Sequence, residues 1–256
     1  MDINKVWQEY KKSKDREAKN ILISNYIPLV KITAGRLKST ITSGSVELDD
    51  LVSYGVIGLL DAIDKFDIEK NVKFETYAQM RIRGSMIDQL RKNDWAPRSM
   101  RQKARKIENA YRELENRLGR YPTDEEVADF IGMGMDEFSE LLGQISTLSM
   151  VSLEEMLENR MEARAGLTSR EGEDYKESEP ERLVGDKEIK RLLKQAIDEL
   201  PEREKLIISL YYFDELTYKE IGSVLSISES RVSQLHSKAV IRMRNRLSEH
   251  KRDLII

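Results

Sequence analysis

Apolar residues recur along most of this chain at spacings of three and four, and alternating runs are few. That period marks helices that bury one face, so the pattern predicts an all-α protein. The segment from Leu48 to Ile63 is apolar round most of its circumference, at Leu48, Leu51, Val52, Ile57, Leu59, Leu60 and Ile63. A helix of that kind belongs inside a bundle. It also carries Gly55 and Gly58, each costing roughly 1 kcal/mol relative to alanine in a helix. The cost makes sense where a second backbone comes close. Upstream, Trp7, Tyr10, Ile21, Leu22, Tyr26, Leu29, Val30 and Ile32 keep helical spacing, and Pro28 marks a kink or a helix start. Residues Thr40 to Ser45 read as a loop.

After a turn at Asp67 to Lys73, a helix begins at Phe74 and runs toward Trp95-Ala96-Pro97, where the residue before proline is biased away from helix. Met100 to Leu118 forms the next helix, closed by a Gly-Arg-Tyr-Pro break. Thr123-x-x-Glu126 is a capping box opening a helix with Val127, Ala128, Phe130 and Ile131 inward. Gly132-Met-Gly134 turns into a helix over Met135 to Gln144. Ser146 to Val184 lacks sustained periodicity, and its polar, acidic centre GLTSREGEDYKESEPER reads as an extended linker. Leu192, Leu193, Ala196, Ile197 and Leu200 then form a helix stopped by Pro201, and Leu206, Ile207 and Leu210 face inward on the next. A second capping box, Thr217-x-x-Glu220, opens a run with helix-turn-helix spacing. Ile221, Val224 and Leu225 pack its first helix, Ser226-Ile227 turn, and Ser228 caps the second. There Val232, Leu235 and Ala239 share the inner face, and Ser230, Ser233, Gln234, Ser237 and Lys238 are expected to point away from it. The division that follows is 1–98, 99–146, a linker over 147–183, and 184–256.

Composition narrows the chemistry. With no cysteine and only His236 and His250, there is no disulfide framework, no thiolate zinc site and too few histidines for a metal site. Asp49 and Asp50 could be imagined as paired catalytic carboxylates, but neighbours on a helix point about 100° apart. Acids at a helix start complement its dipole. No catalytic residue, metal or cofactor is expected. No stretch approaches the roughly 18 apolar residues of a membrane span, and the charged N-terminus lacks a signal-peptide core, so no membrane partner and a cytoplasmic location are expected. The net charge of −3 conceals a segregation of charge. Glu47 to Glu69 holds seven acids and one lysine, and Ser152 to Glu188 twelve acids and six bases. Lys73 to Arg105 carries nine bases against three acids, and Thr217 to the C-terminus eight against four. Two basic zones separated by acidic ones suit a nucleic acid together with a protein partner.

In the first basic zone Phe74, Tyr77 and Trp95 are interleaved with Arg81, Arg83, Arg91 and Lys92. Basic groups track phosphates and aromatic faces stack on unpaired bases, so this helix suits single-stranded nucleic acid. The run KFETYAQMRIRGSMIDQLRKNDWAPRS resembles the promoter-melting segment of bacterial RNA polymerase sigma factors, and more narrowly their flagellar and sporulation (FliA/WhiG-like) branch. The resemblance extends from about Tyr26 to Arg246, and includes the LPEREKLIISLYYFDELTYKEIG stretch before the helix-turn-helix. It implies three small helical domains, sigma domains 2, 3 and 4, joined by linkers, and a subunit that directs core RNA polymerase to promoters.

The resemblance also implies roles. The acidic helix would dock on the clamp helices of the polymerase's largest subunit through Asp50, Ser53, Tyr54 and Val56, with Asp61 nearby. Tyr54 and Val56 are expected to be exposed for this purpose. The −10 element would be opened and its non-template strand held by Phe74, Tyr77, Met80, Arg81, Arg83, Asp88, Arg91, Trp95, Arg98 and Arg101. Spacing alone instead puts Phe74 in the core and Tyr77 at its edge. Housekeeping members carry a Trp-Trp wedge where this chain has Met80 and Arg81. Arg101 and Lys103 would touch DNA just upstream. Domain 4 would read the −35 element with Ser228, Glu229, Ser230, Arg231, Ser233, Gln234 and Lys238. Their chemistry agrees: glutamine pairs bidentately with adenine, an acid accepts from cytosine, and Arg231 and Lys238 suit phosphates. The branch commonly has an anti-sigma partner. The alternative from another class is a free-standing dimeric helix-turn-helix regulator of duplex DNA, which needs no polymerase-docking helix.

Overall fold

A computed structural model of the chain describes residues 2–41, 46–68, 73–93, 96–153, 156 and 179–249, the backbone alone at 179–188 and 249. All regular structure among the described residues is helical, as expected. The chain divides into two compact units, Met1–Ala96 and Pro97–Ile256. Of the loop expected at Thr40 to Ser45, Thr40 instead ends α2 and Ile41 caps it; residues 42–45, part of the turn after Asp67, Trp95, most of the acidic linker and His250 lie outside the described residues.

The first unit contains α1 (Ile3–Ser13), α2 (Arg16–Thr40), α3 (Leu48–Lys65) and α4 (Phe74–Lys92). Asp15 caps α2, which continues through Pro28, so that proline is not a helix start. Leu22, Val30, Leu51, Leu59, Ile63, Ile82, Met86 and Leu90 are buried between the four helices. At one end Trp7, Tyr26, Phe66 and Phe74 form an aromatic cluster, with ring centroids 4.5–5.1 Å from Phe74. Edge-tilted rings at such separations add roughly 0.5–1.5 kcal/mol per pair beyond their area.

The expected close backbone approach is found at Gly58, whereas Gly55 meets side chains. A Cβ on Gly58 would lie 2.5 Å from the Arg81 carbonyl oxygen and 2.8 Å from the Ile82 Cα, both backbone atoms of α4. A Cβ on Gly55 would collide with Met86 and stand 2.7 Å from Val30 Cγ1. Ser85 Oγ also donates to the Tyr54 carbonyl at 2.8 Å, so α3 and α4 are joined as well as packed.

The second unit contains α5 (Arg98–Leu118), α6 (Asp124–Ile131), α7 (Met135–Gln144), α8 (Glu179–Asp198), α9 (Glu202–Tyr212), α10 (Tyr218–Leu225) and α11 (Glu229–Glu249). Both threonine capping boxes form, Thr123 with Glu126 and Thr217 with Glu220. Residues 146–153, expected at the start of the linker, are instead helical and bury Met150, Val151 and Leu153. In the helix-turn-helix, Ile227 N–H donates to the Gly222 carbonyl at 3.0 Å. A Cβ on Gly222 would stand 2.7 Å from the Ile227 oxygen, so the tight turn needs a glycine there.

Helix α11 is the centre of this unit. Its Ile241 joins the core of α5–α7, which includes Ile107, Tyr111, Val127, Phe138 and Leu142. Its Ala239, Val240, Met243 and Leu247 join a second core with Leu192 of α8, Leu200 in the bend after it and Ile208 of α9. An ion pair between Glu204 of α9 and Arg242 of α11 is buried with them, the side chains only 4% and 6% exposed. Burial pushes the Glu204 carboxyl up, against the pull of Arg242 and Lys238.

Two expectations about stability follow. Gly58→Ala gains about 1 kcal/mol of helix propensity but overpacks a backbone contact at a cost of about 1–3 kcal/mol, so the first unit should lose stability. Both tryptophans, Trp7 and Trp95, belong to that unit's span, and tryptophan fluorescence in urea should report an earlier transition. Glu204→Ala strands a buried guanidinium and should cost about 3–5 kcal/mol, most of it recovered when Arg242→Met accompanies Glu204→Leu. Urea unfolding followed by circular dichroism measures both.

Candidate nucleic-acid interface

The outward stripe of α3 follows from its turn spacing. Glu47 and Asp50 make a reciprocal cap, with Glu47 N–H donating to the Asp50 carboxylate at 3.1 Å. Ser53, one turn on, is exposed and donates to the Asp49 carbonyl at 2.8 Å. Tyr54 and Val56 are half-buried, which corrects the expectation of exposure. Tyr54 is drawn against α4, where Asn93 Nδ2 donates to its hydroxyl at 2.8 Å. The apolar residue this stripe presents to solvent is Ile57, 53% exposed. The apolar pattern of α3 alone places Ile57 among the buried positions. Its place four residues after Ser53 and seven after Asp50 was the available signal.

Asp61 lies one turn beyond Gly58 and is tied to α4. Arg81 Nε donates to Asp61 Oδ2 at 2.9 Å, Arg81 Nη2 donates to the same oxygen, and Lys65 Nζ sits 2.7 Å from Oδ1. Partial burial opposes ionisation of Asp61, but the hydrogen bonds from Lys65 and Arg81 outweigh it and hold the carboxyl below its ordinary range. The same hydrogen bonding raises Arg81. Thus a residue expected to face polymerase and one expected to face DNA are bonded to each other.

The remaining −10 candidates differ in where the structure places them. Phe74 is buried in the aromatic cluster and out of reach of a base, as its spacing foretold and contrary to the role implied by the resemblance. Tyr77 stands half-buried at the cluster's edge, its ring 5.8 Å from Phe66. Met80, 66% exposed, and Arg81 form the open edge of α4. Arg83 is half-buried, and Asp88 is exposed and accepts from Arg91 at 2.9 Å. Arg98, Arg101 and Lys103 belong to α5 in the second unit, with Arg98 and Lys103 exposed and Arg101 half-buried. Trp95 lies outside the described residues.

The −35 candidates divide along α11. Ser228 caps the helix by accepting from Arg231 N–H at 3.1 Å, and Ser228, Glu229, Ser230 and Arg231 are exposed. Gln234 is half-buried, its side-chain oxygen accepting from Arg231 at 3.1 Å. Ser233, Ser237 and Lys238, expected to point away from the packed face, are buried. Ser233 donates to the Gly143 carbonyl at 3.2 Å and Ser237 to the Leu142 carbonyl at 2.7 Å, both at the end of α7. Lys238 pairs with Asp124 at 2.7 Å, and Arg231 stands 4.0 Å from the same residue. Farther along, Arg244 pairs with Glu108, Arg246 with Glu199 at 2.6 Å, and Arg242 lies over the Tyr121 ring at 4.5 Å. Burial raises the Glu108 carboxyl, opposed by Arg244. The physical reason for the correction is that α11 packs on two sides, so its polar stripe meets the carbonyls and acids of α5–α7 instead of water.

His236 sits among Tyr211, Tyr212 and Tyr218 at 4.9–5.7 Å between centroids, a packing position. Among the described residues no group of three or more histidines and acids is placed to hold a metal ion. No helix among them is long and apolar enough to cross a membrane. The interface offers cations, hydrogen-bonding side chains and exposed apolar edges, which are means of binding.

Comparison with known proteins accounts for this arrangement. The profiles described as Sigma-70 region 2, Sigma-70 region 3 and Sigma-70, region 4 match residues 22–96, 102–178 and 196–245. The chain is 41% identical over 231 residues to the RNA polymerase sigma factor FliA of Escherichia coli (strain K12), covering 90% of this chain and 95% of that one. It is 38% identical over 244 residues to the RNA polymerase sigma-D factor of Bacillus subtilis (strain 168), covering 95% of each. Among solved structures, it resembles a chain in the cocrystal structure of the flagellar sigma/anti-sigma complex Sigma-28/FlgM, with a TM-score of 0.57, 37% identity and 92% and 98% of the two chains covered. Three consecutive regional matches and long relatives at about two-fifths identity place the chain in the sigma-70 family of RNA polymerase sigma factors, within its flagellar FliA/sigma-D group.

Proposed function

We propose that this sigma factor docks on core RNA polymerase through the outward stripe of α3, holds the −10 strand open with the Met80–Arg81 edge of α4, and reads the −35 element with the first turns of α11. The observation that carries this reading is the union of α3 and α4. A Gly58 backbone contact and the bonds Ser85–Tyr54, Asn93–Tyr54 and Arg81–Asp61 make one body of the docking and strand-binding helices. A subunit so built delivers its cationic edge to DNA wherever polymerase places α3.

The protein works by binding and makes or breaks no bond itself. Trapping unpaired bases supplies the energy of opening, with each stacking contact worth about 1–3 kcal/mol. Met80 and Arg81 stand where housekeeping members carry their Trp-Trp wedge, and a guanidinium stacks on aromatic faces as an indole does. The docking target is the pair of clamp helices of the largest polymerase subunit, and the genes served are those of flagellar motility. Its place of work is the cytoplasm, with the polymerase.

Reading of the −35 element requires α11 to leave the α5–α7 surface, because Ser233 and Lys238 are spent on internal partners in the conformation described. Promoter phosphates would replace Asp124 and Glu108 as partners of Lys238 and Arg244. An anti-sigma protein, such as the one bound in the Sigma-28/FlgM complex, would act on this chain too.

Run-off transcription with core polymerase and a flagellar-class promoter tests the whole reading, and absence of a promoter-specific transcript would overturn it. Arg81→Ala should weaken open-complex formation by about 1–3 kcal/mol while leaving the affinity for core polymerase unchanged. Equal losses in both would remove Arg81 from the strand-binding edge. Gln234→Ala should lower discrimination for the −35 element by about 1–3 kcal/mol, with polymerase association intact. An unaltered −35 preference in promoter competition would show that Gln234 does not read the element.

A further inference from the structure

Asp61 holds a position that polymerase docking does not explain. Its Oδ1 is bonded by Lys65 and its Oδ2 by Arg81, so two cations already neutralise it. A carboxylate in that state has little left to offer a third positive partner on another protein. A stabilising role explains it no better. Arg81 and Asp61 keep 43% and 31% of their side-chain surface exposed, and ion pairs so open to solvent add little to folding.

What the pair does is fix a direction. Nε and Nη2 of Arg81 converge on a single oxygen, which sets the guanidinium plane relative to the axis of α4. Held by that edge, the group keeps its flat faces for stacking and its Nη1 donors for a phosphate or a base edge. A free arginine loses rotamer entropy on being immobilised, and a guanidinium oriented beforehand loses less when it meets a base. The placement is built from below: the Gly58 contact lays the Arg81 backbone against α3, and Asp61 follows one turn later. Lys65, four residues after Asp61, steadies the carboxylate from the other side.

Resting on the strand-opening reading of α4, we infer that Asp61 is a positioning residue: it holds the Arg81 guanidinium beside the exposed Met80 so that the pair meets an unpaired base already aligned. Asp61 therefore serves the melting step and not the polymerase contact suggested by its place on α3.

The test uses the full chain with core polymerase and a duplex flagellar-class promoter, comparing Asp61→Ala, Asp61→Glu, Arg81→Ala and the Asp61→Ala/Arg81→Ala double variant. Tryptophan fluorescence in urea confirms that each is folded, and Asp61→Asn replaces the alanine if it is not. Core affinity is measured by competition, and opening by permanganate reactivity of thymines in the −10 region. Asp61→Ala should lower opening about fivefold, the equivalent of about 1 kcal/mol, at unchanged core affinity. Asp61→Glu should restore part of the loss, and the double variant should open no worse than Arg81→Ala alone. Three results would overturn the inference: core affinity falling with opening intact in preassembled holoenzyme, additive losses in the double variant, or a loss in Arg81→Ala that Asp61→Ala does not share. If Arg81→Ala itself opens the promoter normally, the reading of α4 fails first and the inference with it.

Discussion

At Gly58 the backbones of α3 and α4 approach so closely that a single methyl group would strike the Arg81 carbonyl. Much of what the first unit offers to other molecules descends from that contact. It sets Tyr54 where Ser85 and Asn93 can bond it, and Asp61 where it meets Arg81. Glycine is poor helix-forming material, so its presence twice on one face of α3 has to be offset by packing. At Gly58 the packing is against the backbone of α4, and at Gly55 it is against the side chains of Met86, Val30 and Ile82.

The second unit rests on the opposite device, a helix with no idle side. Helix α11 belongs to two hydrophobic cores and closes its polar stripe with Gly143, Leu142, Asp124 and Glu108. The internal partners imitate what promoter DNA would supply. Main-chain carbonyls accept from serines as base edges and phosphate oxygens do, and carboxylates take the place of phosphates opposite lysine and arginine. Polar groups can be buried this way at small net cost because each finds a partner.

Much of the site was legible by position and less of it by orientation. Asp50, Ser53, Met80 and Arg81 lie on exposed or half-exposed stripes because helical spacing separates them from the core residues between. Phe74 shows the limit of carrying a role over from relatives: the spacing that puts it beside Tyr26 and Trp7 overrides its membership in a strand-binding motif. Ile57 shows the converse. An isoleucine in an apolar helix reads as core, and only the angular position of its neighbours reveals that it faces out. The Asp61–Arg81 bond joins residues twenty apart on different helices, so no local pattern announces it.

Taken by itself, the sequence determined the helices, both threonine capping boxes, the helix-turn-helix turn, the segregation of charge and the family, because each depends on residues near one another along the chain. Propensity, capping and hydrophobic period are local quantities. Only the tertiary structure decided that residues 146–153 are helical and packed, that Tyr54 turns inward, and that Ser233, Ser237 and Lys238 are buried. Ser237 meets a carbonyl 95 residues away, and Arg244 a carboxylate 136 residues away. Periodicity tells a helix which side to bury first; whether a second surface then covers the other side depends on distant elements that the periodicity of that helix does not contain.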